Sequence, residues 1–382
     1  MKAILRICAA MLLAGTMSVM AAGSANASSP KWLSIAPGGT HTCAIRTDHA
    51  LFCWGSNVNG QLGVASTASQ SAPVRVGTST SWKSVTTGQV DTCAVKSSGT
   101  LYCWGYNGNG QLGDGTTTDR HTPTRIGTAT SWTTVKASDS HTCGIRSGSI
   151  YCWGLNTNGQ LGDGTTDSHS GPVKVGVSTS WTSVTLGVVH TCAVHSGGTI
   201  YCWGRNAEGQ LGDGANADRH SPKRVGTLSG WTSIKAGTLH TCGTRSGSIY
   251  CWGDDANGEL GDGHTTRRNT PGRVGTSTSW TGVTAGYFTT CARHSGGTIY
   301  CWGYNGFGQL GDNTSTDRHT PKKIGTSISW SMVSAGTAFT CGLSSSGYAY
   351  CWGTNINGQL GDHTLTSRST PTKITSVLAS TV

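Results

Sequence analysis

The sequence predicts an all-β protein: a seven-bladed β-propeller with four antiparallel strands and one intrablade disulfide per blade. Three observations carry this expectation. The string Cys-Trp-Gly occurs seven times, beginning at Cys53, Cys103, Cys152, Cys202, Cys251, Cys301 and Cys351, in steps of 50, 49, 50, 49, 50 and 50 residues. A fixed period of this size marks a propeller or a solenoid. Each copy carries a second cysteine upstream. Glycine fills 57 of 382 positions and only 12% of residues are charged, which suits many short strands and tight turns rather than helices.

Residues 1–27 read as a secretory signal peptide. Lys2 and Arg6 give a basic start, Ile7 to Met20 is apolar, and Ala25-Asn26-Ala27 is a small-x-small cleavage site. The apolar stretch is too short and interrupted for a membrane span, and no later run approaches twenty apolar residues. Losing Lys2 and Arg6 takes the formal charge from +10 to +8. Cys8 leaves with the peptide, so fourteen of the fifteen cysteines stay in an exported chain, where disulfides are the default.

Residues 28–382 then form a single propeller with units starting near 32, 82, 132, 181, 231, 280 and 330. In the second unit a Trp-led strand covers 82–86 and the first cysteine sits on a strand at 92–95. The Cys-Trp-Gly strand covers 101–104, and a Pro-led strand covers 123–126. Four strands per unit make one blade. All fourteen tryptophans fall in register, seven opening first strands and seven in Cys-Trp-Gly, which points to core packing between blades.

The cysteine spacing is ten in five units and nine in two. Opposing Cys93 and Cys103 in a hairpin leaves the loop Ser97-Ser98-Gly99; opposing Cys143 and Cys152 leaves Ser147-Gly148, and Cys242 with Cys251 leaves Ser246-Gly247. Both loop lengths are favoured hairpin connections with glycine available for positive φ. The expected pairs are therefore Cys43–Cys53, Cys93–Cys103, Cys143–Cys152, Cys192–Cys202, Cys242–Cys251, Cys291–Cys301 and Cys341–Cys351. The rival, metal binding, lacks any Cys-x-x-Cys knuckle. Each bridge closes a short loop and contributes about 2–3 kcal/mol.

Residues 190–214, HTCAVHSGGTIYCWGRNAEGQLGDG, resemble the signature of the regulator-of-chromosome-condensation repeats, and the resemblance spans Trp32 to Ile374 in seven copies. It implies a closed seven-bladed ring. It does not imply nucleotide exchange on a small GTPase, which needs a cytosolic or nuclear partner. Secreted members of that family include inhibitors that cap class A β-lactamases with one face, a precedent for a protein-binding disc. Fold alone does not assign function.

The repeated Asp114, Asp163, Asp213, Asp262, Asp312 and Asp362 lie beside glycine and read as turn caps rather than calcium ligands, because each blade offers one. His41, His141, His190 and His240 share a position with Asp91, Thr289 and Phe339, which argues against a catalytic or metal role. An acidic group, Asp254, Asp255, Glu259 and Asp262, is confined to the fifth unit; a carboxylate pair there supports a hydrolytic alternative. Arg75, Arg125, Lys174, Arg224, Arg273, Lys323 and Lys373 each follow the blade proline by two residues. They guard sheet edges, or else attract polyanions in an envelope structural role.

Specificity must lie where the copies differ. With alternating strands, the first-to-second and third-to-fourth loops share one face, a natural binding surface. The expected contacts on it are Tyr106, Arg205, Tyr287, Phe288, Tyr304, Phe307 and Phe339, with the aromatics gathered in blades six and seven. The sequence thus predicts a secreted, extracellular or periplasmic, non-enzymatic binding protein and monomer. Its expected partner is an extracellular or envelope protein, or a glycan. No cofactor, metal, specific nucleic-acid contact or membrane span is expected.

Overall fold

Every repeat folds into one four-stranded antiparallel sheet whose strands follow chain order from the axis outward. The computed structural model describes residues 29–325 and 327–377, so the signal-peptide reading of 1–27 lies outside the described residues. In blade one the strands are Trp32–Pro37, His41–Arg46, Leu51–Gly55 and Gln70–Arg75, and the pattern recurs through blade seven, which ends with Arg368–Lys373. First strands of neighbouring blades pack together around a central channel. Blade seven and blade one are both built from contiguous chain, so among the described residues no strand is exchanged to close the ring.

The first strand carries a bulge at the same place in all seven blades. Trp32 opposes Arg46, but Ser34 opposes Ile45, leaving Leu33 unpaired and exposed. In a regular strand, residues three apart face opposite sides. The extra residue brings Trp32 and Ile35 onto one face, where they pack against Cys341, Leu343 and Cys351 of blade seven. The same device joins Trp181 and Val184 against Cys143 and Cys152 of blade three. All fourteen tryptophans are buried between blades, as the register predicts.

The hairpins take the predicted register. Cys143 pairs with Cys152 and Arg146 with Ser149, which leaves Ser147-Gly148 as the turn, both at positive φ. That is the conformation a two-residue type I′ loop needs. In blade one the Arg46 amide donates to Ala50. Alternation along the ladder makes Cys43 and Cys53 a non-hydrogen-bonded pair, the closer kind. Their Cα atoms lie 4.1 Å apart, and all seven disulfides form as paired from the sequence.

A clasp between blades accounts for three shared strings at once. The Gln61 carbonyl accepts the Trp104 indole N–H at 2.9 Å and the Thr92 hydroxyl at 2.8 Å, both from the next blade. Gly63 has no side chain because a Cβ there would meet Trp104 Nε1 at 2.6 Å. So Thr-Cys, Cys-Trp-Gly and Gln-Leu-Gly, or Glu259-Leu-Gly in blade five, meet across each seam; the threonine bond recurs at all seven, and the indole bond at every seam but that of Trp352. The final seam uses the same parts: the Gln359 carbonyl accepts from Trp54 at 2.9 Å and from Thr42 at 2.8 Å. Each such bond contributes about 1 kcal/mol net.

Candidate functional site

The Tyr304 amide donates to the Phe288 carbonyl at 2.9 Å. This bond sets the two loop families of one blade side by side on one face, as strand alternation requires. Four predicted residues meet there in blade six. Ring centroids run 6.0 Å from Tyr287 to Phe288, 6.5 Å to Tyr304 and 6.0 Å to Phe307, all edge-to-face. Phe288 is 37% exposed and Phe307 52% exposed, although burial of both in an ordinary fold would be favourable.

Phe339 does not belong to this ridge. It is 1% exposed and packs with Trp32 and Ile35 at the closing seam. Its position, two before the first cysteine, points between blades in every copy, and the same reason buries His41, Asp91, His141, His190, His240 and Thr289. The aromatic cluster expected in blades six and seven is therefore confined to blade six. Tyr106 lies in blade two, folded over Gly108 of its own loop, as Tyr304 folds over Gly306. Arg205 is drawn to Glu208 at 3.4 Å, and Glu208 also binds Arg267 at 2.6 Å.

Sequence reasoning missed the continuation of the apolar surface. Ile356 in blade seven is 71% exposed and Val58 in blade one is 68% exposed, both in third-to-fourth strand loops, with Leu365 also exposed. The same loop position holds Gly108, Thr157, Ala207 and Ala256 in blades two to five. That column singles out blades seven and one; blade six has Gly306 there and carries its exposed side chain, Phe307, one residue later.

The channel opens on this face as a cavity of about 190 Å³, lined by the ends of first strands from all seven blades. Two side-chain bridges cross its mouth. The Tyr287 hydroxyl donates to Asp139 of blade three, and the Thr337 hydroxyl donates to Gln89 of blade two at 3.0 Å. Burial pushes the Asp139 carboxyl up, against the opposing Tyr287 bond, and burial also raises the Tyr287 phenol.

The acids of blade five are placed by the repeat rather than by a cleft. Asp255 and Glu259 are buried at the positions that hold Asn and Gln in the other six blades. Asp255 accepts the Leu260 amide at 2.9 Å, as Asn206 accepts that of Leu211. Burial pushes its carboxyl up to about 7, and the charges of Asp262, Glu259 and Asp254 add to the rise. The repeated aspartates act as turn caps. Asp114 accepts from Thr116 and pairs with Arg120, which outweighs burial and holds it below the ordinary carboxylate range. The perimeter arginines serve their own turns: Arg75 donates to the Thr78 carbonyl at 3.0 Å and Arg273 to that of Thr276 at 2.8 Å.

Among the described residues no cluster of His, Cys, Asp and Glu is arranged to hold a metal ion, and no helix is long and apolar enough to cross a membrane. Solved structures share the fold. Human WBSCR16 superposes with a TM-score of 0.77 at 20% identity, covering 86% of this chain and 94% of its own. Prp20p from Saccharomyces cerevisiae, described with its binding to Gsp1p and histones, gives 0.75 at 20% identity over 91% and 88%. The ectodomain of the Arabidopsis thaliana receptor kinase ACR4 gives 0.51 at 22% identity over 85% and 96%. No curated protein matches the sequence. The profile of the Regulator of chromosome condensation (RCC1) repeat matches at residues 48–95, 98–145, 147–194, 197–243, 246–293 and 296–343, and the chain belongs to that family.

Proposed function

We propose that this protein is a secreted, non-enzymatic binding protein that docks a protein partner on the loop face of blades six, seven and one. The observation that carries this reading is the aromatic ridge of Phe288, Tyr304 and Phe307, continued by Ile356 and Val58 on the adjoining blades. Exposed apolar side chains gathered on rigid loops favour a partner surface. Seven disulfides support an oxidising compartment outside the cytosol. Blade-five acids buried inside their loop do not favour hydrolysis.

The test compares wild type with Tyr304→Ala/Phe307→Ala as bait for culture supernatant and envelope fractions. The expected result is a band retained by wild type and lost by the variant, with melting temperatures within about 2 °C, because surface changes cost little stability. Equal capture by both proteins contradicts the reading.

A further inference from the structure

The channel wall carries two lysines that the binding face does not use. At the same first-strand position the seven blades hold Ala36, Thr86, Lys136, Thr185, Lys235, Thr284 and Ser334. Lys136 and Lys235 line the central cavity with Thr185 between them on blade four. Among the described residues neither amine is in an ion pair. The Thr185 hydroxyl oxygen already accepts the Ala236 amide at 3.2 Å, so its own hydrogen remains to be donated. The wall therefore presents an arc of ammonium, hydroxyl and ammonium, all donors, in a concave space.

We propose that the central channel binds a small oxyanion of the phosphate or sulfate type between Lys136 and Lys235, with Thr185 as a third donor. Two half-buried cations of like sign, neither in an ion pair, repel each other and lose hydration, and an anion between them relieves both penalties. Burial lowers the Lys136 amine to about 8, with the Lys235 charge lowering it further, and burial lowers Lys235 as well. The acids nearby are otherwise engaged or enclosed: Asp139 accepts from Tyr287 at the mouth, and Asp91 is buried beneath it. The two bridges across the mouth limit the guest to a small ion rather than a chain segment. This site is independent of the aromatic ridge.

The experiment measures thermal unfolding of the full mature protein in sodium phosphate, sodium sulfate and sodium chloride at equal ionic strength, with Lys136→Thr/Lys235→Thr as the paired variant. Threonine is the residue that blades two, four and six use there, so the variant keeps the fold. Phosphate or sulfate should raise the wild-type Tm by about 2–4 °C over chloride, as ligand linkage requires, and the difference should vanish in the variant. Calorimetry of phosphate binding in two buffers of unlike ionisation heat should show proton uptake by wild type, because the bound anion restores the Lys136 charge. Equal Tm in all three salts, or an anion effect that survives in the variant, overturns the proposal.

Discussion

The indole N–H of Trp54 donates to the carbonyl of Gln359 at 2.9 Å, joining the first blade to the last across 305 residues. Among the described residues no covalent bond or exchanged strand spans that seam, so closure of the ring rests on this clasp, the Thr42 hydroxyl, backbone bonds such as that from the Trp32 amide to Gly347, and the packing of Trp32, Ile35 and Phe339.

Trp54→Phe should therefore lower stability by about 1–3 kcal/mol, the cost of leaving a buried carbonyl with one donor fewer together with lost ring area. Trp352→Phe is the matched control, because the Trp352 indole nitrogen is buried without a hydrogen-bond partner. Urea midpoints of the two variants check this. The Trp54 variant is expected to be the less stable, and equal midpoints would remove the clasp from the explanation.

Buried titratable groups set opposing pH dependences. Burial holds His41, His141 and His190 down to about 3 and His240 to about 4. Their folded values lie below the ordinary histidine value, so the stability they contribute is present above about pH 6.5 and is lost as pH falls. Each adds a slope of up to about 1.4 kcal/mol per pH unit below that point. Urea midpoints should drop steeply from pH 6.5 to pH 4.

Asp255 acts in the other direction. Its carboxyl is raised to about 7, so its contribution is present at low pH and lost as pH rises through 7. Asp255→Asn restores the amide of the other six blades. It should stabilise the protein at pH 8 and have little effect at pH 4, measured by the same midpoints. A variant less stable than wild type at pH 8 would mean that the carboxylate itself holds the loop.

Phe339 and Phe307 separate core from surface. Phe339→Ala should cost about 3–5 kcal/mol, and Phe307→Ala less than about 0.5 kcal/mol, by chemical denaturation.

The fold was legible because its constraints repeat. A one-residue deletion that falls in a hairpin turn, as between Arg146 and Ser149, keeps both cysteines opposed and identifies the pairing from spacing alone. The clasp was not legible, since its acceptor is a backbone carbonyl that Gln61, Gln359 and Glu259 supply equally well. Phe339 lies between blades because register, which it shares with His41 and Asp91, decides its place over its aromatic character. Tyr106 and Tyr304 carry a trace that sequence comparison could have found. Only after these tyrosines does glycine, Gly108 or Gly306, stand two residues later, where the ring folds over the backbone. Exposure of Val58 and Ile356 depends on loop conformation, which no residue pattern in the repeat encodes.

The central claim, that a partner seats on the blade-six ridge, is tested most directly by site-specific photocrosslinking. A benzophenone side chain is placed at Phe307 and, in a second protein, at the equivalent loop position Asn109 of blade two, outside the apolar arc of blades six, seven and one. The account predicts one prominent adduct with an extracellular or envelope protein from Phe307 and a much weaker one from Asn109. Equal crosslinking from both positions, or a stronger adduct from Asn109, would contradict it.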